Sequence, residues 1–216
     1  MARYIFRFPA WLGWSLPCLL ALTAPVWAAS RLCDDAAHRA ARRHDLPAEV
    51  LLAITRVETG RGQAATPWPW TVNMEGAGHW FDTENQAQVF VFRHFKGGAR
   101  SFDVGCFQIN YKWHGRAFRS IEEMFDPDHS ADYAAQFLKD LYADLGDWSA
   151  AAGAYHSRTP SLSRRYAARF DRILADLDRA PTQAIGPRPL TGAGPARMGS
   201  LVSVAVSNAK PLFQID

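Results

Sequence analysis

Apolar residues recur along this chain mainly at helical spacing, and proline, glycine and capping residues mark the breaks between runs. Ala36, Ala37, Ala40 and Ala41 predict a first helix from Cys33 to His44. Leu46-Pro47 turns the chain into a strongly apolar helix over Val50 to Gly60, with Pro47 suited to its first position and Gly60 to its end. From Thr66 to Phe81 the pattern is aromatic and extended, with a turn at Glu75-Gly76-Ala77-Gly78; a β-hairpin and an ordered loop both fit. Thr83 to Gln86 carries a capping-box pattern that opens a helix through Phe95, stopped by Gly97-Gly98. Ser101 to Asn110 is a second extended piece, interrupted by Gly105. Another capping box at Ser120 to Glu123 starts a short helix. Asp126-Pro127 then caps a longer one to about Leu145, with Ala134, Phe137, Leu138 and Leu141 on its apolar side. Asp147 opens an alanine-rich helix over Trp148 to Tyr155, and a last helix runs from about Ser161 to Leu177 with Tyr166, Phe170, Ile173 and Leu177 along one side. The predicted class is mainly α, with a small β-hairpin or extended region.

The two ends of the chain read differently from its middle. Arg3 and Arg7 precede an apolar run from Trp11 to Ala24, and Val26-Trp27-Ala28 offers a cutting point, so residues 1–28 are expected to be a signal peptide. The run is short and broken by Pro17 and Pro25, which argues against a membrane span; an uncleaved anchor is the alternative. Residues 29–178 make one domain. Residues 179–216 are a flexible Pro/Gly-rich tail holding one apolar patch, Leu201 to Val206.

Composition narrows the picture further. At 216 residues and 48% hydrophobic, the chain has ample material for a core. The formal net charge of +3 drops to +1 once the two leader arginines are gone, so electrostatics gives no case for a nucleic-acid partner. Beyond the leader two cysteines remain, Cys33 and Cys106, which in an oxidising compartment could pair as a disulfide or persist as two buried thiols. No Cys/His spacing fits a zinc site and His-Glu-x-x-His is absent, so neither a metal nor a cofactor is expected.

The candidate chemistry begins at Glu58. Leu51 and Ile54 lie seven and four residues before it, so all three share one helix face, and a carboxyl on an apolar face should have a raised pKa. Such a group can keep a proton near neutrality and deliver it as a general acid. The plainer alternative is that Glu58 leaves the core at the helix end and meets solvent or an arginine. Two further segments carry polar groups on close-packing backbone. In Gly105-Cys106-Phe107-Gln108-Ile109-Asn110, glycine allows close approach to a ligand and Gln108 offers a donor and an acceptor. Ala151-Ala152-Gly153-Ala154-Tyr155-His156 is a tight helix ending in a phenol and an imidazole. Taken singly, Gly105 could be a bulge and Tyr155 a core-edge residue.

In this order and at these separations, the three segments resemble the soluble lytic transglycosylase (SLT) family. That family carries a helix ending Glu-Ser, then Gly-x-x-Gln-Ile-Asn, then Ala-x-x-Ala-Tyr-Asn, and the likeness covers roughly residues 31–178. The segment Trp68 to Asn73 also looks like a subgroup of the family. The resemblance implies an α+β lysozyme-like fold whose extended region lines a cleft. It implies Glu58 as the catalytic acid/base, with Gln108, Tyr155, Thr59, Gly105, Phe107, Asn110 and Trp70 on the substrate side. Trp68, Trp80 and Phe81 are candidates either for stacking on sugar rings or for packing the hairpin. Three departures stand out: Thr59 for the usual serine, Cys106-Phe107 for Leu-Met, and His156 for asparagine.

The implied substrate is the glycan strand of peptidoglycan. The implied reaction cleaves the β-1,4 bond between N-acetylmuramic acid and N-acetylglucosamine and closes a 1,6-anhydro ring. Of the acids in the extended segments, Glu75, Asp82 and Asp103, the sequence does not say which lies within reach of Glu58. A lysozyme-type muramidase on the same fold, and a non-catalytic wall-binding scaffold of a secretion or flagellar machine, are the alternatives. The expected setting is the periplasm of a Gram-negative bacterium, as a monomer, with the tail as the segment that could dock on an envelope-spanning assembly.

Overall fold

A computed structural model describes residues 26–179. The expectations for the leader and the tail lie outside the described residues, apart from residues 26–28 and Arg179, which fall in the first and last helices. Helix α1 (Val26–His44) starts well before Cys33, since nothing between Ala29 and Leu32 breaks a helix. Its alanine face lets α6 (Pro127–Leu145) approach closely, and Ala36, Ala37, Ala40, Ala134 and Ala135 are all fully buried. Ion pairs seal the seam: Arg39 donates to both carboxylate oxygens of Asp128 at 2.7 and 2.9 Å, and Arg43 to Asp132 at 2.8 Å.

Helix α2 (Ala48–Thr59) is the central rod, with Val50 to Thr55, Val57 and Thr59 buried. Pro47 serves as its N-cap rather than its first residue, with extended dihedrals. Gly60 ends it, but not through a left-handed turn. Its φ is −60°, and a Cβ there would stand 2.3 Å from the Arg56 carbonyl oxygen, so only glycine fits.

The first extended segment is a true hairpin, β1 (Thr71–Met74) and β2 (Ala77–Trp80), turning through Glu75 and Gly76 with φ of +52° and +94°. After α3 (Glu84–Lys96), whose Thr83/Gln86 capping box is complete, the second extended segment proves to be two short strands. These are β3 (Phe102–Val104) and β4 (Ile109–Asn110), and the four strands form an antiparallel sheet in the order β2-β1-β3-β4. The short helix α4 (Tyr111–His114) and a 3₁₀ turn (Gly115–Ala117) follow, neither predicted; the Asn110 side chain caps α4 by accepting from Trp113 N–H at 3.3 Å.

Helix α5 (Ile121–Phe125) begins at the Ser120 cap, and Asp126 caps α6 by accepting from the Asp128 and His129 N–H groups. Helices α7 (Trp148–His156) and α8 (Pro160–Arg179) close the domain against α6 and α2. Their crossing is tight at Gly153, where a Cβ would stand 2.5 Å from Ser163 Oγ. Among the described residues no helix is long and apolar enough to cross a membrane.

Cys33 and Cys106 are joined as a disulfide that ties α1 to the turn between β3 and β4. It closes a loop with a sequence separation of 73 residues. Loop-closure entropy for that length gives about 4 kcal/mol of stabilisation. Reduction, or the double replacement Cys33→Ser with Cys106→Ser, is expected to lower the unfolding free energy by about that amount. Urea unfolding with and without reductant measures it.

Candidate active site

The last turn of α2 delivers Glu58 to the space between the sheet and α8. Leu51 and Ile54 on the same face are fully buried; Glu58 keeps some exposure as a residue, but its carboxyl is buried. Arg56, on the polar face, turns the other way and donates to both oxygens of Asp34, at 2.9 and 3.1 Å. The partner of Glu58 is Tyr166 of α8, whose hydroxyl donates to Glu58 Oε1 at 2.7 Å.

Burial is the main influence on this carboxyl and pushes its pKa from an ordinary 4.5 up to about 8. The Tyr166 hydrogen bond pulls the other way because it favours the charged form, the negative charge of Asp103 raises the pKa further, and Arg169 lowers it. The net result is an acid that keeps its proton at neutral pH. Tyr155 also stands within range of the Glu58 charge, and its hydroxyl donates to the Phe107 carbonyl oxygen at 2.8 Å. Burial drives both phenols well above their usual range, so they act as neutral donors.

The second motif forms the turn between β3 and β4. Gly105 and Gln108 both have positive φ, +79° and +46°. The close approach that needs glycine at 105 is to backbone, since a Cβ would meet the Met124 carbonyl oxygen at 3.2 Å. The Gln108 amide donates to the carbonyl oxygens of Thr71 at 3.1 Å and Gly105 at 3.0 Å, bracing the turn against β1. Phe107 is fully buried and offers its carbonyl to Tyr155. Asn110 donates to Asp103 Oδ1 at 2.7 Å while capping α4.

Several residues expected on the substrate side therefore have structural positions. Thr59 is 1% exposed; its hydroxyl donates to the Thr55 carbonyl and accepts from Trp68 N–H, so it fixes the chain leaving α2 and is not placed to touch a ligand. Phe107 cannot present its side chain for the same reason. Gly105 serves the α5 contact. Trp68 is buried, donates to the Phe81 carbonyl at 2.7 Å and lies under Arg61, which makes it a packing residue. Trp70 is half-buried against the core, Phe81 packs on Phe90, and Trp80 is the exposed one at 45%.

Tyr166 is the partner that helical periodicity hid, because it reads as one more member of the apolar stripe of α8. The available signal was chemical: a buried tyrosine hydroxyl requires a partner, and Glu58 is the acid placed on an apolar face. Of the three candidate acids, Glu75 and Asp82 are exposed, and Asp103 is the one whose charge reaches Glu58. His156 stacks on Tyr166 with ring centroids 4.7 Å apart and 11° between planes. Burial and then Arg165 hold its pKa below the usual histidine value. Among the described residues no group of three or more His, Cys, Asp or Glu side chains is arranged to hold a metal ion.

A mostly helical α+β domain of lysozyme-like build, with one buried acid held by a phenol at the edge of a small antiparallel sheet, is the class these features define. The chain belongs to the transglycosylase SLT domain family, whose model matches residues 35–172. At family level this makes it a lytic-transglycosylase-type enzyme that cleaves peptidoglycan. The chain matches neither a curated protein nor a solved structure.

Two measurements follow from the buried acid. Removing the donor with Tyr166→Phe takes away a bond that favours the charged form, so the Glu58 titration moves to higher pH; carbon NMR of the carboxyl reads it. Folding stability carries the opposite sign from an ordinary carboxylate. Between pH 4.5 and about 8 the folded state holds a proton that the unfolded chain has lost, so stability falls as pH rises. Glu58→Gln lacks that slope and is expected to exceed the native chain in stability at pH 9 by a few kcal/mol, one pKa unit being worth about 1.4 kcal/mol. Denaturation across pH checks it.

Proposed function

We propose that the protein cleaves the β-1,4 bond between N-acetylmuramic acid and N-acetylglucosamine and releases a 1,6-anhydro sugar. One observation carries this reading: Glu58 holds its proton at neutral pH, with a neutral hydroxyl as its hydrogen-bond partner. Protonated Glu58 gives its proton to the glycosidic oxygen, and the C1–O bond breaks with its electron pair leaving on that oxygen. Positive charge builds on the ring and is met by the substrate's own N-acetyl group. The C6 hydroxyl oxygen then bonds to C1, and its proton returns to the Glu58 carboxylate. The acid is restored and no water is consumed.

The enzyme acts as a monomer on glycan strands in the periplasm of a Gram-negative bacterium, reached through a leader at residues 1–28. Its use would be local opening of the wall for an envelope-spanning secretion or flagellar assembly, with residues 179–216 as the docking segment. A second reading, hydrolysis with water taking the place of the C6 hydroxyl, is favoured by Asp103, because ordinary glycoside hydrolysis uses two carboxyl groups.

Digestion of purified wall followed by mass spectrometry decides between them. Anhydro ends are expected from the native protein, and reducing ends in their place overturn the transglycosylase step. Glu58→Gln is expected to release no fragments, a loss of at least about 1,000-fold. Normal release by that variant overturns the catalytic assignment.

A further inference from the structure

The strand register makes a polar row across the sheet. Asn73 of β1 lies opposite Asp103 of β3, and Asp103 lies opposite Asn110 of β4. Register partners project from the same face of an antiparallel sheet. The residues that alternate with them, Val72, Met74, Phe102, Val104 and Ile109, are all buried in the core on the other face. The row continues to Gly78 of β2, which has no side chain, and the ring of exposed Trp80 lies over it; a Cβ at Gly78 would meet that ring at 3.2 Å. One face of the sheet thus carries an open aromatic surface, two amides and a single carboxyl beside Glu58.

Burial raises the Asp103 carboxyl above its ordinary 3.8, and two amides oppose that rise by favouring the charged form. Asn110 Nδ2 donates to its Oδ1 at 2.7 Å, and the Asn73 side chain donates to it as well. With the Asn73 amide turned to give its hydrogens to Asp103, its own Oδ1 is buried with no hydrogen-bond partner. Turned this way, the amide leaves one acceptor unsatisfied. What it secures is a second donor on the carboxylate. Asp103 and Glu58 are then two carboxyl groups in one site with divided duties: burial takes Glu58 from 4.5 up to about 8, and takes Asp103 from 3.8 only to about 6 because its two amides favour the charged form.

We propose that Asp103 is a second catalytic group, a carboxylate whose fixed charge stabilises the positive charge that develops on the sugar ring when Glu58 protonates the leaving oxygen. The inference rests on the glycan-cleaving reading and deepens it. Asp103 forms no bond and moves no proton in the step; it supplies a preorganised field where charge appears. It also acts on Glu58, since a neighbouring negative charge makes that acid harder to ionise and keeps it loaded.

The rate therefore needs Asp103 ionised and Glu58 protonated, giving a bell that rises through about pH 6 and falls through about pH 8. The other charged or titratable groups facing the pair are Tyr166 and Arg169 from α8 and Tyr155 from α7, and burial holds both phenols well above that window.

The test compares the native protein, Asp103→Asn, Asn73→Ala and Glu58→Gln on a soluble N-acetylglucosamine–N-acetylmuramic acid oligomer, each checked for folding by thermal unfolding. Asp103→Asn keeps the shape and removes the charge. It is expected to lower kcat about 100-fold with little change in KM, to abolish the acid limb, and to move the alkaline limb to lower pH. A purely structural aspartate would leave the acid limb and kcat in place, since only the alkaline limb follows its charge on Glu58. Asn73→Ala, which takes one donor away, is expected to shift the acid limb to higher pH and leave the alkaline limb in place, and it decides the matter should Asp103→Asn not fold. Native kcat with an unmoved acid limb in Asp103→Asn, or an unmoved acid limb in Asn73→Ala, overturns the role of Asp103 while inactive Glu58→Gln preserves the glycan-cleaving reading. An active Glu58→Gln would sink that reading itself.

Discussion

Everything about this site depends on keeping one carboxyl out of water without pairing it to a cation. A buried carboxylate would usually be matched by an arginine, and α2 carries one two residues earlier, but Arg56 faces away and is taken up by Asp34. A direct ion pair would have held Glu58 ionised and made it a structural residue. The hydrogen-bond donor it meets instead is the neutral phenol of Tyr166, which orients the group at modest gain to its charged form, so desolvation prevails. The cost is borne by the helix behind it. Leu51 and Ile54, fully buried on the same face, anchor the turn that would otherwise relax and let the acid reach solvent.

The turn from Gly105 to Gln108 after β3 contributes rigidity more than contact. Cys106 is tied to α1, Gly105 lies against the Met124 carbonyl, Gln108 is strapped to β1, and the Phe107 carbonyl takes the Tyr155 hydroxyl. Four independent attachments on a four-residue turn leave it little freedom, and with it the position of Tyr155 relative to Glu58. A site that must place a proton within a fraction of an ångström needs this kind of support behind the reacting group.

Helices α3, α5, α6 and α7 are legible in the sequence because each opens on a chemical start signal. Thr83/Gln86, Ser120, Asp126-Pro127 and Asp147 all cap as their residue types require. The start of α1 was not, since an alanine- and arginine-containing run has no edge to read. Ser101 to Asn110 reads as one interrupted extended piece because two strands of three and two residues are too short for alternation to declare itself. Glu58 was legible because an acid on an apolar face breaks a local rule. Tyr166 was not, because it obeys one, and its partner lies 108 residues away. Asp103 needed the strand register, which sets the pairing with Asn73 and Asn110 and is invisible to any local pattern.

The histidine at position 156 tests how much the site tolerates. A planar ring stacked at 4.7 Å on Tyr166 steadies the phenol that orients the acid, and an imidazole does this as well as any flat group while it is uncharged. An imidazolium there would put a positive charge one ring away from Glu58 and favour loss of its proton. Burial and the nearby Arg165 both disfavour that charge, so the ring keeps its neutral form to lower pH than an ordinary histidine. Burial first, and the exposed Arg165 of α8 second, thus favour the uncharged ring, the form of an ionisable side chain that is compatible with the acid beside it.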